Sequence, residues 1–444
     1  MLCSIKHSNI GKELETLTDF HANGSYEDIS KHFRLLDTKN YAYMVRTTDL
    51  EHENYEYDVK YVTRDCYDYL NKSRVYGGEV LINKIGSPGQ TYLMPCLNKP
   101  VSLGMNLFML RMKENSVINN ITLYLYLNTK IGKSLITRDI NGTVPLTIDK
   151  ESVRNVLVPV FTKNFQNLLS QVLKMREDFF ENANNLFKQA QDILNKELAI
   201  TDIENTKKYS VKTFSESFVK SKRLDAEYYQ DKYTQLFDII KNGKQLKELV
   251  TITKSIEPGS DEYKDEGIPF LRVSNLTKFG LTDSNVFLDR KKYENLLKPR
   301  KDTILFSKDG SIGIAYKAES DLDCITSGAL LHLNVKKTTI LPDYLTLVLN
   351  SKIVQLQAER DSGGSIINHW RLPEVERVII PMLDYDIQNQ ISQKVQESFK
   401  LRKDSKNLIN VAIRAIELAI EKNEEFASQW LIENTNEIYH KDKY

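Results

Sequence analysis

Residues Glu79–Gly89 read EVLINKIGSPG, and residues Thr303–Gly313 read TILFSKDGSIG. Laid over each other, Lys84 falls on Lys308, Gly86-Ser87 on Gly310-Ser311 and Gly89 on Gly313, an offset of 224. Each is an apolar run that meets a lysine and a glycine-punctuated turn, the pattern of a strand entering a tight turn. A single match of this kind is common between strands, so the flanks decide. Tyr43–Leu50 (YMVRTTDL) lies over Pro269–Leu276 (PFLRVSNL) at an offset of 226, and Leu127–Ile131 (LNTKI) over Leu349–Ile353 (LNSKI) at 222. The same 222 places Arg138-Asp139 on Arg360-Asp361, Gly142 on Gly364, Asn155–Pro159 (NVLVP) on Arg377–Pro381 (RVIIP) and Gln166-Asn167 on Gln388-Asn389. Matching blocks in one order with so little drift mean an internal duplication.

Each copy opens on an irregular, aromatic-rich part with short β-type runs such as Tyr41–Val45 and Thr303–Phe306. A helical stretch carrying the Leu-Asn-Ser/Thr-Lys-Ile block follows, then an apolar strand ending at Pro159 or Pro381, then a long helix. In the first long segment Phe165, Leu168, Val172, Met175, Phe179, Leu186 and Ile193 follow 3–4 spacing, with Asn182 and Gln189 interrupting the seam. In the second, Ile391, Val395, Ser398, Ile409, Ala412, Ile416, Ala419 and Phe426 do the same, and no Pro or Gly occurs from Tyr385 to Leu431. This is coiled-coil spacing.

The spacing predicts an α+β protein: two similar mixed α/β domains separated by two long antiparallel coiled-coil helices, an internal repeat with a pseudo-two-fold axis. The expected boundaries are 1–160 and 209–383 for the domains, and 161–208 and 384–433 for the helices. The 35 residues from Asn164 to Leu198 give a spacer of about 50 Å at about 1.5 Å per residue. Two similar heads on such a spacer suit an object read twice along its length, and duplex DNA is one. A purely structural spacer fits as well.

Composition narrows the class. Lys plus Arg number 61 against 60 Asp plus Glu, for a net charge of +1, so any nucleic-acid binding comes from local patches rather than bulk charge. Four separated cysteines (Cys3, Cys66, Cys96, Cys324) contain no C-x-x-C pair, which points to a reducing compartment without a zinc site. No run reaches the ~20 apolar residues of a membrane span, and the first residues lack a signal-peptide layout. A cytoplasmic location is expected. No P-loop, G-x-G-x-x-G, H-E-x-x-H or G-x-S-x-G motif occurs, so no enzymatic class is announced.

Polar groups suited to nucleic acid recur at matching places. Lys84 and Lys308 precede the turns, where an ammonium can meet a phosphate, and Ser87 and Ser311 stand within them. Arg46-Thr47-Thr48-Asp49 lies over Arg272-Val273-Ser274-Asn275, which makes Arg46, Thr48, Arg272, Ser274 and Asn275 candidates for base or backbone contact. Lys254, Asn368 and His369 complete the set. Blander readings stay open: Trp370 as a core anchor, Arg46 and Arg272 as buried partners of carboxylates, and Lys291-Lys292, Lys298–Lys301 and Lys220–Arg223 as solvated surface.

With these blocks in hand, the chain resembles the DNA-specificity subunits of type I restriction-modification systems. The residues that carry the resemblance are Pro269–Leu276, Ile304–Gly313, and Val378–Pro381 leading into Ile387–Ile391, within the duplicated layout. The first copy departs in its turn, with Ile85 in the place of Asp309 and Pro88 in the place of Ile312. The resemblance implies two target-recognition domains, each reading half of a bipartite site in double-stranded DNA, and no catalysis by this chain. It also implies two adenine methyltransferase subunits that use S-adenosylmethionine, and restriction/translocase subunits that use ATP and Mg. A coiled-coil scaffold joining protein-binding heads, a stand-alone DNA-binding regulator and a hydrolase with an unrecognised carboxylate pair are the alternatives.

Overall fold

The alternating apolar runs pair into sheets, and the long periodic runs form helices, in a computed structural model that describes residues 5–56, 59–140, 145–200, 203, 209–336, 339–362 and 369–441. Gly142, Gly364 and Asn368, singled out above, lie outside the described residues. The chain divides into two units, residues 1–180 with 402–444, and residues 181–401. Among the described residues no helix is long and apolar enough to cross a membrane.

Six strands of the first unit bear on the site, in chain order β1 (Leu14–Asp19), β2 (Ala42–Val45), β3 (Val80–Asn83), β4 (Thr91–Leu93), β5 (Val101–Leu103) and β6 (Leu107–Met112). One antiparallel sheet has the order β1-β6-β3-β4. A second sheet runs Lys60–Val62, β2, β5, Arg74–Val75, with β2 and β5 parallel.

The second unit repeats this plan. The corresponding strands are β7 (Val250–Lys254), β8 (Ile268–Leu271), β9 (Ile304–Ser307), β10 (Ala315–Lys317), β11 (Ile325–Thr326) and β12 (Leu330–Val335). The antiparallel order is β7-β12-β9-β10, and β8 and β11 again lie parallel, with Phe287–Leu288 on the other edge of β8. Strand order and direction therefore repeat the duplication read from the blocks. The second unit's core runs from Phe306, Leu331 and Leu333 through Tyr344 and Trp370 to Ile391 and Val395.

The helical stretch after the sheets is two helices in each unit, not one. They are Asn120–Leu127 and Lys130–Thr137 in the first unit, and Pro342–Leu349 and Lys352–Asp361 in the second. The break falls on the Asn of the repeated block, which turns its amide onto a neighbouring strand. Asn128 Nδ2 donates to Thr91 O at 3.2 Å, and Asn350 Nδ2 to Ala315 O at 2.7 Å. The repeated glutamines are scaffold too. Gln388 is buried, accepts Leu341 N at 3.1 Å and donates to Leu383 O at 2.9 Å; Gln166 accepts Asn119 N at 2.9 Å and donates to Phe161 O at 3.0 Å.

The first long helix, α1, spans Lys163–Glu197. The second differs from expectation: it is α2 (Tyr385–Glu421) followed by α3 (Glu424–Lys441). Asn423 starts the new helix by accepting Phe426 N at 2.9 Å, an N-cap that the absence of Pro and Gly hides. The seam of α1 is also shifted by one residue at three places. Leu169, Phe187 and Leu194 are buried where Leu168, Leu186 and Ile193 are only half-buried, and Ala183 and Ala190 occupy the seam beside Asn182 and Gln189. Small seam residues let the backbones approach closely. Ser398 Oγ donates to Ala183 O at 2.7 Å in the second unit, and Ser405 Oγ to Arg176 O at 3.2 Å in the first.

Candidate nucleic-acid interface

The turn after β3 and the turn after β9 have the same construction. Gly89 N donates to Asn83 O at 2.8 Å, and Gly313 N to Ser307 O at 2.9 Å. Gly86 and Gly89 have φ of 89° and 88°, and Gly310 and Gly313 have 68° and 79°, a region that β-carbon sterics close to most residues. Pro88 is thus accommodated without changing the turn. Ser87 and Ser311 are exposed at the two tips. A returning segment seals each turn: Ile148 N donates to Lys84 O at 3.1 Å, and Trp370 N to Lys308 O at 2.9 Å. Trp370 is fully buried, its ring centroid 5.8 Å from that of Phe306. It is the core anchor that the blander reading offered. His369, next to it, is exposed and places Nδ1 2.9 Å from Asp309 Oδ1.

The arginine turns follow β2 and β8. The Arg46 backbone N–H is capped by Asp49 Oδ2 at 2.9 Å, and the Arg272 N–H by Asn275 Oδ1 at 3.0 Å. The side chains then differ. Arg46 forks onto Asp49, with Nε 3.2 Å from Oδ2 and Nη2 2.6 Å from Oδ1, and Tyr43 Oη donates to the same carboxylate at 2.9 Å. Arg272 meets no carboxylate among the described residues. Its Nη2 lies 3.4 Å from the neutral Asn285 Oδ1, and its buried Nε has no partner there. Thr48 and Ser274 are exposed beside these arginines, while Asn275 is buried with its amide on Asp283 O at 3.1 Å.

The lysines depart furthest from expectation. Lys84 is not a cation at a loop tip. It is buried, with Nζ 2.7 Å from Asp19 Oδ2, while Lys150 Nζ takes the other oxygen at 2.8 Å. Burial alone would raise the Asp19 carboxyl, but the hydrogen bonds from Lys150 and Lys84 hold it below the usual carboxylate range. Lys308 is mostly covered and pairs with the neighbouring Asp309. Hydrogen bonds from Lys308 and His369 likewise overcome the effect of burial and lower the Asp309 carboxyl. Lys254, at the end of β7, is exposed.

Sequence reading missed Asp19. It faces Phe108 as Lys254 faces Leu331, and Phe108 and Leu331 in turn face Ile82 and Phe306. Asp19 and Lys254 therefore hold equivalent positions. The signal was present as Lys12-Glu13-Leu14 recurring in Lys247-Glu248-Leu249, but at an offset of 235 outside the narrow band of the other blocks.

In the second unit the candidates converge on one edge. Ser327 N donates to Leu271 O at 2.8 Å, Gly328 N to Ile256 O at 2.7 Å and Lys308 N to Ala329 O at 3.0 Å. These bonds stitch the segments carrying Arg272, Lys254, Lys308 and His369 side by side. Part of each of the other basic clusters is neutralised at the surface. Lys292 pairs with Glu262, Lys298 with Glu294 and Asp323, Arg300 with Asp321 and Arg223 with Asp225. Hydrogen bonds from Arg290 and Lys298 bring the Asp323 carboxyl to about 2.

Residues 241–415, which contain this edge, match the family described as type I restriction modification DNA specificity domain. Lys254, Arg272, Ser274, Asn275, Lys308, Ser311 and His369 all fall within the matched residues. The chain is similar to the type I restriction enzyme EcoBI specificity subunit of Escherichia coli, 24% identical over 196 residues. That match spans 41% of this chain and 40% of the relative, so the chain covers less than half the length of that curated protein. Among solved structures it is similar to the S subunit of a type I restriction-modification system from M. genitalium. The identity is 13%, with 96% of both chains covered and a TM-score of 0.37. It is also similar to the HsdS subunit from Thermoanaerobacter tengcongensis, at 13% identity, with 94% of this chain and 97% of that one covered and a TM-score of 0.30.

Proposed function

We propose that the full chain is the non-catalytic DNA-specificity subunit of a type I restriction-modification complex, with each unit reading one half of a bipartite site in double-stranded DNA. The observation that carries this reading is the recurrence of one loop edge: the arginine turn, the glycine turn and the sealing segment in the specificity domain all have counterparts in the first unit. Residues 1–160 and 209–383 act as the recognition domains, and the long helices of the spacer stretches 161–208 and 384–433, α1 in the first and α2 with α3 in the second, set the gap between half-sites. Exposed Thr48, Ser87, Ser274 and Ser311, with Asn368, read base edges, while Lys254, Arg272 and His369 meet phosphates and Lys308, paired with Asp309, holds the turn. Two methyltransferase subunits bring S-adenosylmethionine, and restriction/translocase subunits bring ATP and Mg.

The test is co-expression with the methyltransferase and restriction genes beside it, followed by mapping of modified adenines in random-sequence DNA. Two short clusters separated by a fixed gap are expected; no modification, or one contiguous site, would sink the reading. Removing residues 177–183 and 399–405 together keeps the seven-residue phase of both helices. It shortens each by about 10 Å, or about three base pairs at about 3.4 Å per step. The mapped gap should shrink accordingly. An unchanged gap removes the helices from the role of ruler.

A further inference from the structure

The two arginine turns share a backbone and differ in charge. Asp49 lies where Asn275 lies, each capping the arginine's own N–H. In the first unit the carboxylate is buried at 3% exposure and engages the guanidinium through two nitrogens as well as the Tyr43 hydroxyl. For Arg46 to reach another anion it would have to leave that buried carboxylate without a cation, held only by the Tyr43 hydroxyl and the Arg46 N–H among the described residues, which is unfavourable. In the second unit the amide caps the backbone and offers the guanidinium no charge. Arg272 keeps a buried Nε without a partner among the described residues and one long bond to an amide oxygen. A cation so placed lacks its anion.

The lysine site repeats the difference independently. At matched register the first unit has Asp19, which ties down Lys84 and Lys150, and the second has the exposed Lys254. One exchange runs the other way: Asp309, at the place of Ile85, covers Lys308. It leaves Arg272 and Lys254 untouched.

We infer that phosphate anchoring is unequal between the two units: the second supplies most of it through Arg272 and Lys254, and residue 49 or 275 decides whether the arginine is locked or open to a phosphate. This rests on the DNA reading above. The first unit, with Arg46, Lys84 and Lys150 already paired at this edge, meets DNA there mainly through neutral groups such as Thr48 and Ser87.

The experiment uses the chain assembled with its methyltransferase subunits and a fluorescein-labelled 30-base-pair duplex of random sequence, titrated from 50 to 250 mM NaCl. Each lost phosphate contact lowers the slope of log K against log salt by about 0.9, about eightfold in affinity at 0.1 M salt. Asn275→Asp, which supplies the missing lock, should lower the slope by that amount; Asp49→Asn should raise it and tighten binding. Lys254→Ala, at an exposed position that folding does not depend on, should lower the slope equally. Duplex binding by the wild-type complex with slopes unchanged in all three variants overturns the inference and leaves the DNA reading standing. Equal slope losses for Arg46→Ala and Arg272→Ala overturn it as well. A wild-type complex that binds no duplex at any salt sinks the DNA reading itself.

Discussion

Replacing Lys317 by leucine lowers the stability of the second unit by about 3–5 kcal/mol, and adding Asp343→Ile to the same chain returns most of it. Lys317 Nζ lies 2.9 Å from Asp343 Oδ1, and both side chains are less than a tenth exposed. Burial alone would lower the Lys317 ammonium's pKa, but Asp343, Glu319 and Asp302 outweigh it and raise it. Removing the lysine leaves a buried carboxylate whose remaining side-chain donor among the described residues is Gln396, with Nε2 2.6 Å from Asp343 Oδ2. Asp343→Ile alone costs less, because Asp302 at 3.4 Å and Glu319 at 3.3 Å still face the ammonium.

The double replacement places in the second unit the apolar residue types that the first unit carries at these positions. Leu93 and Ile121 occupy the equivalent positions, on β4 and on the helix Asn120–Leu127. The cycle is measured by urea unfolding of wild type, both single variants and the double variant. Trp370 fluorescence reports the second unit's core in a Trp430→Phe background. A double variant as unstable as Lys317→Leu would show that the second unit cannot use the packing of the first.

The same comparison explains how much was legible beforehand. Blocks that repeat at nearly constant offset revealed the duplication because turn glycines, capping residues and helix-breaking asparagines are fixed by backbone geometry. For that reason repetition alone was a poor guide to function. Asn128 and Asn350, and Gln166 and Gln388, recur because they bond backbone groups inside each unit. Lys84 recurs with Lys308, yet its environment is set by Asp19, 65 residues away, and no local pattern announces that pairing. The Arg46 lock is local, its partners three positions apart, and visible as one of two readings; only geometry could choose between them. The helix seam slipped where two apolar residues are adjacent, at Leu168-Leu169, Leu186-Phe187 and Ile193-Leu194. Spacing cannot phase such pairs without the partner surface.

Acid should loosen the second unit more than the first. His332 on β12 is 1% exposed, its Nε2 2.7 Å from Thr326 Oγ1, and burial lowers its pKa to about 4. An unfolded histidine titrates near 6.5. Above that pH neither state binds the proton and stability is unaffected. Between about 6.5 and 4 the unfolded state takes up the proton while the folded state does not, so stability falls as pH falls. The loss approaches about 3 kcal/mol at the lower end. Met109 stands at the equivalent register in the first unit, facing Leu81 as His332 faces Leu305, and has no proton to gain. His332→Met should therefore flatten the stability of the second unit across this window. The unpaired Thr326 hydroxyl shifts its baseline equally at every pH. Unfolding curves at pH 7 and pH 4.5, read through Trp370, isolate the histidine, because carboxylate titration is common to both proteins and cancels in their difference. Equal pH slopes for wild type and variant would mean that the folded unit admits the protonated ring, in conflict with a side chain enclosed among β7, β9 and Thr326.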